Sequence, residues 1–189
     1  MPDGERPSGK GAPCAFFFDR DSTLSYDPGY LHRPEQIELL PGVREAFDDL
    51  RRRGCLLFLF TNQSGPARGM FPKEDVIACN RRLAELLGGE GVFTRQYVAW
   101  ELPDAPEPNY RKPSPRYLNE AVAEFGLDRA RCWMVGDRAS DLQSGLAAGI
   151  GAVRVTTQLD DPRAAEICRL HNLPTIADMR ELAAAVGLE

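Results

Sequence analysis

The stretch Cys14-Ala15-Phe16-Phe17-Phe18 breaks off abruptly at Asp19-Arg20-Asp21-Ser22-Thr23, and no other junction in the chain constrains the fold as tightly. An apolar run this short, closed by turn-forming residues, predicts a strand buried on both faces. Strands of that kind belong to parallel sheets with helices packed on either side. Two carboxylates at the end of a buried strand are costly to hold unless something neutralises them, and a divalent cation would do so. Ligands of open parallel sheets sit outside the carboxyl ends of the strands. Asp19 and Asp21 are therefore candidates for a crevice there, with an ordinary acidic turn as the alternative.

The same pattern recurs. Cys55-Leu56-Leu57-Phe58-Leu59-Phe60 stops at Thr61-Asn62-Gln63-Ser64-Gly65, and Cys132-Trp133-Met134-Val135 stops at Gly136-Asp137-Arg138-Ala139-Ser140-Asp141. Two further strands are expected over residues 92–100 and 152–156. Val43, Ala46, Phe47 and Leu50 have helical spacing and predict a helix over 43–53. Further helices are expected over 73–87, from Pro115 to about 125 with Ser114 as its cap, after Asp141 to about 148, and over 161–170 and 177–186. Strands alternating with helices predict a single α/β domain. Its expected form is a Rossmann-like three-layer sandwich around a mainly parallel sheet. The domain is expected over residues 13–189, behind a disordered tail at 1–12. The segment after the first strand is too short to build a lid domain, so the cap is expected to be minimal.

Because all strands of such a sheet point one way, the three junctions bring Asp19, Asp21, Thr61, Asn62, Asp137 and Asp141 to one edge. Arg111 and Lys112, in Arg111-Lys112-Pro113-Ser114-Pro115, supply local positive charge. Oxygen-rich carboxylate clusters suit Mg²⁺, and a neighbouring lysine can hold a phosphate. The net charge of −5 argues against a nucleic-acid partner, and no apolar run reaches membrane-spanning length. The five cysteines, Cys14, Cys55, Cys79, Cys132 and Cys168, form no CxxC pair. They point to a reduced, cytoplasmic chain rather than a disulfide scaffold. The expected partner is a small-molecule phosphate ester, and the expected state is a monomer or weak dimer.

Taken together, the motifs Asp19-Arg20-Asp21-Ser22-Thr23, Thr61-Asn62-Gln63, Lys112 and Gly136-Asp137-Arg138-Ala139-Ser140-Asp141 resemble the haloacid dehalogenase superfamily of phosphohydrolases. Within it, Gly29-Tyr30-Leu31-His32, Leu40-Pro41-Gly42-Val43, Ser64-Gly65-Pro66-Ala67-Arg68-Gly69 and Arg111-Lys112-Pro113 are similar to two groups. These are the D-glycero-D-manno-heptose 1,7-bisphosphate phosphatases and the histidinol-phosphate phosphatases. The resemblance implies that Asp19 is the nucleophile and forms an aspartyl-phosphate. It implies that Asp21 is the general acid and then the general base. Thr61, Asn62, Lys112, Arg138 and Arg111 would bind phosphate or substrate, and His32 would reach substrate from its loop. Asp19, Asp137 and the Asp21 carbonyl would hold Mg²⁺, with Asp141 in support. A phosphosugar is the leading expected substrate, histidinol phosphate the second. A catalytically weak binding protein on the same fold is the reading from another class.

Two departures stand out. Ser22 occupies a position where the family usually has Gly, a residue favoured where the backbone needs a positive φ. The family's zinc loop of Cys and His is also missing, since residues 97–110 contain neither; no zinc is expected.

Overall fold

The computed structural model describes residues 13–158 and 160–188. The tail expectation for residues 1–12 lies outside the described residues.

Every apolar run singled out above is a strand, and a sixth, unexpected strand joins them. These are β1 (Ala15–Phe18), β2 (Leu56–Asn62), β3 (Arg95–Ala99), β4 (Cys132–Gly136), β5 (Gly151–Val155) and the two-residue β6 (Thr175–Ile176). They form one sheet in the order β3-β2-β1-β4-β5-β6, and every neighbouring pair is parallel. β1 is central, which is why all four of its residues are fully buried.

Alternation along β1 divides the core. Phe16 and Phe18 pack with Val43, Phe47 and Leu50 of α1 (Val43–Arg52) and with Cys79, Leu83 and Leu87 of α2 (Lys73–Leu87). Ala15 and Phe17 face Leu118 and Ala121 of α3 (Arg116–Phe125). On that second face, α4 (Ala139–Ala147) and α5 (Pro162–His171) cover β5 through Leu142, Ala152 and Ile167. The three-layer α/β sandwich is therefore as expected. Between β1 and α1 the chain forms a loop with one 3₁₀ turn, Pro34–Gln36, so no lid domain stands there among the described residues.

Three expectations need correction. The helix expected over 177–186 is a 3₁₀ turn, Met179–Glu181, followed by α6 (Leu182–Ala185). The Asp178 side chain accepts from Arg180 N–H at 2.9 Å and starts this turn late, while β6 takes the preceding residues. Ser114 does not cap α3: its N–H donates to Arg111 O at 2.9 Å in a turn, and Pro115 stands at the helix start without a side-chain cap. Finally, the cysteines are not all reduced, because Cys14 and Cys55 are joined. Each immediately precedes a strand. β1 and β2 pair in the register Ala15↔Leu56, which sets the two Cα atoms 4.7 Å apart, within disulfide reach. Cys79, Cys132 and Cys168 are free and buried.

Candidate active site

The carboxyl ends of β1, β2 and β4 open into a cleft of about 490 Å³. Its lining includes Asp19, Asp21, Asn62, Arg111, Lys112, Arg138 and Asp141. Asp19 is fixed by the last rung of the sheet, where its N–H donates to Val135 O at 2.9 Å. One oxygen from each of Asp19, Asp137 and Asp141 falls within a group whose members lie no more than 4.8 Å apart.

Lys112 reaches this group from the loop after β3. Its Nζ is 2.6 Å from Asp19 Oδ1 and 2.7 Å from Asp141 Oδ1, and it donates to Phe60 O at 2.8 Å. Asn62 sets the position of that lysine. Its Oδ1 accepts Lys112 N–H at 2.9 Å and its Nδ2 donates to Lys112 O at 3.2 Å. Its amide is thus engaged with the chain, although Asn62 still lines the cleft. The Thr61 hydroxyl is buried and accepts from Gln63 Nε2 at 2.8 Å. Asp141 also accepts Arg138 N–H at 2.9 Å, which ties it to the start of α4. Gly136 makes room for it: a Cβ there would stand 2.4 Å from the Asp141 carboxyl carbon.

The electrostatics are those of a site with too little positive charge. Burial pushes the Asp19 carboxyl up to about 7; Lys112 pulls it down, and Asp141 and Asp21 push it up further. Burial, then Asp19 and Asp141, push Asp137 up to about 8. Burial alone would lower the Lys112 ammonium, but Asp141 and Asp19 outweigh it and its pKa is raised. Asp137 Oδ1 accepts from the Thr23 hydroxyl at 3.3 Å, while its buried Oδ2 has no hydrogen-bond partner among the described residues and meets only the Arg138 Nε, 3.8 Å away. A buried carboxylate oxygen without a hydrogen bond, beside two further carboxylates, is a donor set that fits a hard divalent cation such as Mg²⁺.

The rim is cationic. Arg68, Arg111 and Arg138 line the mouth. Burial lowers the Arg111 pKa, and Arg68 and Arg138 lower it further. Arg111 Nη1 is buried without a partner among the described residues.

His32 is not among the lining residues. Its ring stacks on Phe71 with centroids 4.7 Å apart, and its Nδ1 meets Tyr30 O at 2.8 Å. Phe71 in turn fills the space over Gly65, so His32 props the loop after β2 from behind. Sequence reasoning missed Arg68, although it lies inside a quoted motif. It also missed Arg20 and Gln63, which hold Asp21. Arg20 Nε is 2.7 Å from Asp21 Oδ1, and Gln63 Nε2 donates to Asp21 Oδ2 at 2.8 Å. The loop over 97–110 is fastened without Cys or His: Tyr110 OH donates to Glu120 at 2.7 Å, and Asn109 N–H to Glu107 at 2.9 Å.

A family model described as haloacid dehalogenase-like hydrolase matches residues 17–149. The D-glycero-beta-D-manno-heptose-1,7-bisphosphate 7-phosphatase of Yersinia pestis is 36% identical over 159 residues, covering 80% of this chain and 84% of that one. The enzyme of the same name from Photorhabdus laumondii is 37% identical over 149 residues, 75% of this chain and 79% of that one. Among solved structures, a D,D-heptose 1,7-bisphosphate phosphatase from B. bronchiseptica, complexed with magnesium and phosphate, superposes with a TM-score of 0.78 at 25% identity. That match covers 90% of this chain and 96% of the other.

Proposed function

The chain belongs to the haloacid dehalogenase-like hydrolases, and from that membership we propose that it removes a phosphoryl group from a sugar bisphosphate of the heptose 1,7-bisphosphate type. The observation that carries this reading is the Lys112 ammonium seated between Asp19 and Asp141 on the cleft floor. The Asp19 carboxylate attacks phosphorus, the bond to the sugar oxygen breaks, and an aspartyl-phosphate forms. Asp21 gives its proton to the leaving oxygen. It then takes a proton from the water that attacks phosphorus, which frees phosphate and restores Asp19. Lys112 pairs with the charge of the phosphoryl group. Asp19 and Asp137, with the Asp21 carbonyl, would hold Mg²⁺, and Asp141 would keep Lys112 in register. Bound there, the cation would neutralise surplus carboxylate and phosphoryl charge.

The division of labour matches the size of the task. Phosphate monoester hydrolysis is accelerated by up to ~10²¹, and general acid help supplies only about 10²–10⁴ of it. Charge neutralisation and positioning must supply the remainder.

The arginine rim supports a substrate with a second anionic group. Histidinol phosphate offers an ammonium there, which Arg68, Arg111 and Arg138 would repel. Arg68→Ala and Arg111→Ala are each expected to raise KM for a sugar bisphosphate by about 10-fold or more, the weight of a charge-assisted hydrogen bond. KM for p-nitrophenyl phosphate should barely move. Equal losses on both substrates, or a strong preference of the parent enzyme for histidinol phosphate or nucleotides, would overturn the substrate assignment.

The reading includes no structural zinc, since hydrogen bonds from Tyr110 and Asn109 already fasten the loop that would carry it. It also takes the enzyme as a cytoplasmic monomer or weak dimer with neither nucleic-acid nor membrane partners. No helix among the described residues is long and apolar enough to cross a membrane. The Cys14–Cys55 bond is buried, 4% and 7% exposed, and so is screened from attacking thiolates. Stoichiometric zinc in elemental analysis, or a tight oligomer in sedimentation, would contradict these points.

A further inference from the structure

Arg20 is the largest fully buried side chain of the protein's described residues, with no exposed surface. A buried guanidinium is tolerated only when its donors are met and its charge is paired. Arg20 meets that demand with four hydrogen bonds: Nε to Asp21 Oδ1 at 2.7 Å, Nη2 to Asp21 Oδ2 and to Leu31 O at 3.2 Å each, and Nη1 to Asn80 Oδ1 at 2.9 Å. The backbone turns to let two adjacent side chains meet. The N–H groups of Leu24 and Ser25 both donate to Arg20 O, at 2.9 and 3.0 Å.

Asn80 is the unexpected member. It lies on the buried face of α2 with Val76, Cys79, Leu83 and Leu87 and is 3% exposed. Asn is a poor residue for a helix interior, and this face otherwise calls for an apolar side chain. The Arg20 guanidinium is what its amide serves. We infer that Asn80 and Arg20 are positioning residues for the reaction: Asn80 fixes the plane of the Arg20 fork, and the fork fixes the plane of the Asp21 carboxylate at the cleft. This inference rests on the reading of Asp21 as the proton donor.

The bond pattern also distinguishes the two carboxylate oxygens. Asp21 Oδ2 accepts from both Arg20 and Gln63, whereas Oδ1 accepts from Arg20 alone. Each carboxylate oxygen has two lone pairs. Oδ1 therefore keeps an open acceptor position that Oδ2 lacks.

Displacing a proton donor by an ångström can cost on the order of 10²-fold, and the loss falls on substrates that need the proton. The test compares kcat/KM for an alkyl phosphate, a poor leaving group, with that for p-nitrophenyl phosphate, a good one, using the Mg²⁺-loaded enzyme. Asn80→Ala is expected to lose about 10- to 100-fold on the alkyl ester and to stay within about 3-fold on the aryl ester. Asn80→Asp, which keeps the acceptor oxygen, should restore most of the alkyl activity. Arg20→Lys, which keeps the charge and loses the fork, should repeat the Asn80→Ala pattern. Circular dichroism checks folding; Asn80→Ala leaves the inference testable where Arg20→Lys does not fold. Equal losses on both esters, or none, in Asn80→Ala would overturn it. Asp21→Asn separates the two levels. A selective alkyl loss there with a uniform Asn80→Ala loss refutes the positioning role alone. A uniform loss in Asp21→Asn refutes the Asp21 assignment and this inference with it.

Discussion

Ser22 shows how a single backbone angle records a functional loop. Its φ is +60°, in the left-handed region that costs an L-residue roughly 1–2 kcal/mol. Its hydroxyl is buried without a partner among the described residues. Ser22→Gly relieves both penalties, against about 0.5–1 kcal/mol of added chain entropy. The expected outcome is a gain of about 1 kcal/mol, read as a higher urea midpoint with an unchanged slope; a lower midpoint would mean that the hydroxyl has a stabilising partner. The departure was legible only through the family resemblance, whose first motif usually has Gly where this chain has Ser22. Asp19, Lys112 and Asp137 were legible because each follows a strand end or stands in a motif of its own. The duties of Arg20, Gln63 and Asn80 were not. Arg20 meets its neighbour Asp21, but the bonds from Gln63 to Asp21 and from Arg20 to Asn80 cross 42 and 60 residues, and sequence spacing carries no trace of them. The stacking of His32 on Phe71 was also not legible, because a loop position near the mouth does not say which way the ring turns.

Among the elements, length decided what could be read. β1, β2 and β4 are uninterrupted apolar runs with sharp polar ends, and α2 was bounded to the residue, Lys73–Leu87. β6 has two residues, too few for any periodicity, and its neighbour was misread as one long helix. The Cys14–Cys55 bond was invisible for a different reason. It follows from β1 and β2 being adjacent, parallel and in register, a fact of pairing rather than of either segment. The bond closes a separation of 41 residues across the two strands that carry Asp19 and Thr61. Replacing both cysteines with alanine should lower stability by about 2–4 kcal/mol, the usual contribution of a bridge over such a loop. Chemical denaturation of the variant measures it, and an unchanged midpoint would show that the bond does not constrain the unfolded chain.

The whole molecule carries a net charge of −5 yet must bind an anion. Arg68, Arg111 and Arg138 gather at one cleft above a floor of three clustered carboxylates; in the proposed function the rim takes the anion and a cation offsets the floor. That offset has a pH signature. Asp19 and Asp137 have folded pKa values of about 7 and 8 against an ordinary 3.8. Between about pH 4 and 8 the cation-free protein therefore holds protons that the unfolded chain has lost, and its stability falls as pH rises. Mg²⁺ binds the ionised carboxylates and releases those protons. The Mg²⁺-induced rise in Tm should therefore grow from about pH 5.5 to about pH 8, whereas a rise that is flat or shrinks would place the cation elsewhere. The α/β architecture and the strand-end location of the site were legible because they follow from local patterns; the rim was less so, because its arginines come from three separate loops. The most direct measurement of the central claim is acid-quench mass spectrometry of Asp21→Asn during turnover of p-nitrophenyl phosphate. A phosphoryl group on the peptide bearing Asp19, absent in Asp19→Asn, is the expected result. Phosphate release at the parent rate by Asp19→Asn, or a phosphoryl group on any other residue, would contradict it.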